Sequence, residues 1–400
     1  MDSMLFRKRA RPVTGLAVAA LLTLATAPAP AQTIAIVGGR VHTGDGQVHP
    51  GGTVVIEDGR ITAVGVDAAT PGNAQIIDAA GMVVTPGLID ALTLVGPGGA
   101  PTHMHGEVEP DIQPTARARE RFREGMAPGW LHDGVTAVYM APDPSRLIGG
   151  IGAVVKLAGG AETAVVAETA AMAASFGESV VGDQPPGAEA PTQQTTRQGM
   201  IYRLRQTLVR AQEDAFTGEM ARVFGELLSG ELPLRMLANN PDDIETALRL
   251  AGEFELRLVV DQGAGAALVA TRLAEAGVPV VIGPAILGIG DGGPMELYAH
   301  TPATPARLHE AGVRLALSTF SQGGRSVTME AAIAWAHGLP REAALLAVTG
   351  HAAAILGVED RIGTLAPGRD ADVVIWDQHP ISTYGKAMRV LVDGRTVFER

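Results

Sequence analysis

Histidine is the side chain that most often does acid–base or metal chemistry near neutral pH, and only one pair among the ten in this 400-residue chain stands within two residues. His103-Met104-His105 has Glu107 and Glu109 close by, a set of donors that could form a small metal site. Against that reading, Pro97-Gly-Gly-Ala-Pro101 precedes the pair and no strand pattern holds it. Two ligands on an unsupported loop bind a cation weakly, so a polar loop is expected. Gly288-Ile-Gly-Asp-Gly-Gly293 fits a dinucleotide-binding spacing, but Pro294 follows at once and no tight helix start is evident, so a loop after a strand is expected here too. The chain has no Gly-x-Ser-x-Gly elbow and no phosphate-binding Walker loop. His132, His309 and His337 lie in helix-like or turn contexts and are expected at the surface or as caps.

These residues need elements to position them, and the two ends of the chain differ from its middle. Residues 1–31 read as a secretory signal peptide: Arg7, Lys8, Arg9 and Arg11, then the apolar run Gly15–Ala27, then Ala29-Pro-Ala31 as the cleavage pattern. The run is short of the roughly 20 apolar residues of a spanning helix, and no later stretch qualifies. A periplasmic or extracellular location is therefore expected. The chain carries a formal charge of −12, and loss of the basic leader makes it more acidic still, which disfavours nucleic acid and anionic membranes as partners. With no cysteine there is neither a disulfide nor a lipid-anchor thiol, and the fold must hold by burial alone.

Residues 32–85 alternate apolar and polar positions between Gly38-Gly39, Asp58-Gly59 and similar turns, and residues 361–400 have the same texture. Each piece alone would leave strand edges unpaired, so the two are expected to join in one β-sandwich module. Between them, residues 86–360 alternate apolar strands with amphipathic helices, the mark of parallel βα units. Strands are expected at 88–95, 135–141, 153–157, 163–170, 234–238, 256–261, 278–283 and 313–319. Helices are expected at 196–228, 242–254, 266–276, 305–311 and 329–337. Eight strands over this length predict an α/β fold of TIM type, a (β/α)8 barrel, with the small module beside it.

The motifs run in a familiar order. Thr85-Pro-Gly-Leu-Ile-Asp90, Gly134-Val-Thr136, Ile148 through Lys156, Asp242-Asp243 and above all Gly357 through Asp377 resemble the imidazolonepropionase-like and prolidase-like branch of the amidohydrolase superfamily from about residue 33 to residue 400. That resemblance implies a binuclear metal centre at the barrel mouth and hydrolysis of carbon–nitrogen bonds. It also implies where the ligands belong, and there the sequence departs. The paired strand-1 histidines fall at Leu92 and Leu94, the strand-5 histidine at Leu237, the strand-6 histidine at Gln262 and the strand-8 aspartate at Phe320. A slip of one residue does not restore them, since no histidine lies between His132 and His300 and no aspartate between Asp291 and Asp360.

Hydrocarbon side chains offer no lone pair to a cation, so the site reads as converted into core. Asp90 is retained and is expected to serve as a structural acceptor. By the resemblance, Lys156 matches a lysine that bridges metals when carboxylated; without metals an ion-paired or snorkelling lysine is expected. Glu178 matches a Gly-Glu turn near the mouth. Three readings of function stand. The first is a non-catalytic protein with no cofactor, holding a small ligand or acting as partner to an active relative or to itself. The second is a working hydrolase of amide bonds with an unusual or single zinc. The third is a metal-independent enzyme using Lys156, Glu178 or Asp261.

Overall fold

Short strands punctuated by glycine turns build the first of two sheets. The computed structural model describes residues 33–94, 112–122, 128–142, 144–159, 164–177, 180, 196–285, 299–320, 326–382 and 384–400. From the N-terminal side come β1 (Thr33–His42), β2 (Val48–Glu57), β3 (Arg60–Gly65), β4 (Gln75–Asp78) and β5 (Val83–Pro86). The barrel strands follow: β6 (Leu88–Thr93), β7 (Val135–Met140), β8 (Ile148–Lys156), β9 (Val165–Ser175), β10 (Leu234–Ala238), β11 (Leu258–Gln262), β12 (Val280–Ile282) and β13 (Leu315–Leu317). The chain closes with β14 (Val373–Trp376), β15 (Ala387–Val392) and β16 (Arg395–Glu399).

The module sheet runs β16-β15-β14-β5-β1-β2-β3, with β4 beside β1. Its two halves meet where β14 pairs antiparallel with β5, Val374 opposite Thr85, so both chain ends contribute, as their matching texture predicts. Its core is Ile34, Ile36, Val54, Ile56, Val84, Val373 and Ile375 with their neighbours. The Trp376 indole donates to Thr85 Oγ1 at 2.9 Å, which satisfies its N–H inside an apolar setting.

The second sheet orders its eight strands β13 to β6 in sequence and forms the nearly closed barrel. The eight expected strands are all present, but one runs backwards. β8 is antiparallel to both β7 and β9, where the pattern predicts only parallel units. The links 141–147 and 157–164 explain this: a parallel crossover needs about a dozen residues or more, whereas a hairpin needs only a few. The helix expected over 196–228 is also two helices, Arg197–Gln212 and Gly218–Leu228, parted by a left-handed residue at Asp214 (φ 53°).

Alternation along each barrel strand divides two cores. Leu234, Met236 and Ala238 of β10 and Leu258 and Val260 of β11 join the layer under the helices. Ile89, Ala91, Ala137, Tyr139, Val154, Val259, Val281 and Ala316 fill the barrel interior, stopped at the strand-start end by the helix Gly350–Leu356. Between β6 and β13 the residues Ala347 and Val348 supply backbone acceptors, Leu317 N–H to Ala347 O at 3.0 Å and Ile89 N–H to Val348 O at 2.8 Å.

Candidate active site at the barrel mouth

Strands of this architecture present chemistry where they end, and that end carries the five positions that depart from the family pattern. Leu92 and Leu94 are buried within the apolar interior cluster, and Phe320 packs on its edge. Leu237 is buried as well. Gln262 is the one of the five with a donor oxygen, and that oxygen already accepts from Asn239 Nδ2 at 2.5 Å. Asn239 Oδ1 in turn accepts from Ala264 N–H at 3.2 Å. These five positions offer a metal little: four side chains lack any donor and the oxygen of the fifth is engaged.

Backbone geometry at two of these positions does not suit their side chains. Gln262 has φ 65° and Phe320 has φ 43°, a left-handed region that histidine, asparagine and aspartate enter far more readily than a bulky aromatic. Such conformations cost about 1–3 kcal/mol and persist where the surroundings enforce them.

Asp90 does structural work, as expected. Its Oδ1 accepts from Thr319 N–H at 3.2 Å and Leu92 N–H at 3.3 Å, and its Oδ2 from Thr319 Oγ1 at 2.6 Å. It thus ties the first barrel strand to the end of the last. Burial pushes its carboxyl up to about 6, against the pull of those hydrogen bonds.

Beneath the leucines lies a charged pair, in which Asp261, a candidate from the sequence, meets an arginine that the sequence did not single out. Arg235 points inward from β10 and clamps Asp261 of β11: Nε to Oδ2 at 2.9 Å, Nε to Oδ1 at 3.1 Å and Nη2 to Oδ1 at 2.6 Å. Nη2 also donates to Ala91 O at 2.9 Å. The guanidinium lies 3.9 Å from the centroid of the Tyr139 ring, a cation–π contact. Burial drives the Asp261 carboxyl up and Arg235 opposes it; burial also raises the Tyr139 phenol. Held on both oxygens, Asp261 is a poor candidate for a general base. Its signal was legible: Leu-Arg-Met-Leu-Ala has one cation amid apolar residues, which a buried strand tolerates only with a partner.

Lys156 is corrected by the topology. Because β8 is reversed, Lys156 pairs in register with Ala137 near the start of β7, at the face opposite the mouth. There its ammonium meets Asp370 at 2.9 Å, Asp372 at 3.0 Å and Asp393 at 2.5 Å, ion-paired as expected and unable to act with Asp261. Burial disfavours its charge, but Asp372 and Asp393 outweigh that and raise its pKa. Burial also pushes Asp372 up to about 6, and Asp372 Oδ2 has no hydrogen-bond partner. His103, His105 and Glu178 lie outside the described residues, as do Glu107, Glu109 and Gly288–Gly293. A recess of about 830 Å³ opens at the strand-start face, lined by Arg257, His309, Arg314 and His351 among others, so it is not the mouth.

Comparison with known proteins agrees with this architecture. A family model described as "Amidohydrolase family" matches residues 300–398. Amidohydrolase tasK of Hapsidospora irregularis is 26% identical over 87% of this chain and 40% of its own length. An imidazolonepropionase of Mesorhizobium japonicum is 33% identical over 41% of this chain and 39% of its own. The chain thus spans about two fifths of the length of these curated relatives. The crystal structure of an amidohydrolase from Thermotoga maritima MSB8 superposes with a TM-score of 0.81 and 30% identity, covering 92% of this chain and all of that one.

Proposed function

The chain belongs to the amidohydrolase superfamily, and we propose that within it this is an exported, non-catalytic member whose barrel no longer carries a metal pair. What supports the reading most is the replacement of donors by packed hydrocarbon at Leu92, Leu94, Leu237 and Phe320, with Gln262 held by Asn239. A metal that activates water needs three or so protein donors and an open position. The left-handed backbone kept at Gln262 and Phe320 supports descent from a site with other side chains there. Its remaining work is then binding, either of a small molecule at the mouth or of an active relative or second copy as a partner. Among the described residues no helix is long and apolar enough to cross a membrane.

The relatives bear the names of hydrolases, which supports a second reading, an active hydrolase of carbon–nitrogen bonds. Turnover assays separate the two. Purified chain lacking residues 1–31 is given imidazolonepropionate, Xaa-Pro dipeptides and N-acyl amino acids, with and without added zinc or manganese. No turnover above the uncatalysed rate is expected under either condition. Hydrolysis that chelation abolishes and metal restores overturns the proposal. Partner binding is checked by light scattering alone and with a co-expressed active relative; a monomer in both cases rejects the subunit role.

A further inference from the structure

His42 closes strand β1, Glu342 sits in the first turn of the helix Arg341–Leu346, and His379 follows strand β14. Three distant stretches of sequence therefore bring two imidazoles and a carboxylate together on the module side, away from the barrel mouth. His42 Nδ1 is 3.1 Å from Glu342 Oε2, and His379 Nε2 is 3.6 Å from Glu342 Oε1. The rings stand edge to face with centroids 5.1 Å apart. One ligand atom from each residue lies within 4.8 Å of the other two, the one such group of three among the described residues.

We propose that His42, Glu342 and His379 form a binding site for a single divalent transition metal, with zinc as the best match. Two histidines and a glutamate are a donor set that zinc takes with a fourth position open. Ligand atoms about 2.0–2.1 Å from a tetrahedral ion stand roughly 3.3 Å apart; each imidazole stands near that distance from a different oxygen of Glu342, and one ligand atom per residue falls within 4.8 Å of the other two. His42 is buried and His379 half-buried, 4% and 11% exposed at the side chain, while Glu342 is 50% exposed. Solvent can therefore reach a fourth position on the Glu342 side. Nε2 of His379, the atom that faces Glu342, is buried without a hydrogen-bond partner, a cost that folding accepts more readily if a cation is bound there.

One contact has to change. His379 Nδ1 accepts from Ile381 N–H at 3.0 Å, whereas a neutral imidazole ligating through Nε2 carries its proton on Nδ1. Metal binding therefore turns the Ile381 amide away. Without metal, Glu342 accepts from the His42 ring and only ties module to helix.

The test uses untagged chain lacking residues 1–31 and Zn²⁺ or Co²⁺ alone as probes. Calorimetry is expected to give one ion per chain, and cobalt to give the visible absorption of a tetrahedral site. Glu342→Gln and His379→Gln each weaken binding by about 100-fold or more, since even supporting residues are worth 10–100-fold. Protection of the Ile381 amide from hydrogen exchange falls on zinc addition. His42 is too deeply buried for a clean substitution, so the two more accessible ligands carry the test. His103→Ala/His105→Ala leaves binding unchanged. No binding by the native chain, binding that survives both glutamine variants, or binding lost with His103 and His105 overturns the proposal. Turnover is read separately, so metal bound here without hydrolysis leaves the reading of the barrel intact.

Discussion

Arg235 and Asp261 offer the sharpest test of a barrel interior that serves as core. Arg235→Met removes three hydrogen bonds to Asp261, the bond to Ala91 O and the contact with Tyr139, and strands a carboxylate in a fully buried position. Removing one member of a buried pair costs about 3–5 kcal/mol. With a urea dependence of about 3 kcal/mol per molar, the unfolding midpoint falls by roughly 1–1.7 M. Arg235→Met/Asp261→Leu places hydrocarbon in the same volume and restores most of the loss, because neither charge is left alone. Acidity supplies a further check. In the single variant the stranded Asp261 has a folded pKa raised above its unfolded value, so the deficit is full at high pH and shrinks as pH falls. Urea unfolding of both variants at neutral and mildly acidic pH measures all of this. A single variant that loses under 1 kcal/mol, or a double variant as unstable as the two singles summed, refutes the reasoning.

Other outcomes follow from the same physics. Lys156→Met leaves Asp370, Asp372 and Asp393 facing one another without their central cation, and is expected to lower stability by about 3–5 kcal/mol, read by thermal or urea unfolding. Asp90 has a folded pKa of about 6, above its unfolded value. Its contribution to stability is therefore complete below pH 4 and is lost as pH rises through 6, by about 3 kcal/mol at most. Asp90→Asn flattens that part of the stability–pH curve, and an unchanged slope rejects the assignment. Leu92→Ala opens a cavity in the interior cluster and costs about 2–5 kcal/mol; a loss below 1 kcal/mol would mean the mouth is open and wet.

Much of this fold is legible because it rests on local periodicity. Strands β6 to β13 all stand where apolar runs fall, and the two Asp-Gly-rich ends do meet in one sheet. The positions of Leu92, Leu94 and Phe320 follow from their motifs, and the burial of the two leucines follows from their chemistry. What periodicity does not carry is direction and long-range pairing. β8 alternates like its neighbours whichever way it runs, and only the brevity of its two links reveals the reversal. Lys156 reads as a mouth residue until that reversal carries it to Asp370, Asp372 and Asp393. His42, Glu342 and His379 lie far apart along the chain, and nothing local to any of them announces the others.

The seam between β5 and β14 also constrains how the polypeptide can mature. A chain emerging from its N-terminus presents β5 with its outer edge bare until the final strands arrive, and a bare edge is a template for intermolecular pairing. The barrel must bring the late strands home before the module can close. Removal of β14 to β16 therefore does more than trim a tail: it leaves the outer edge of β5 permanently open and the remaining sheet prone to aggregate.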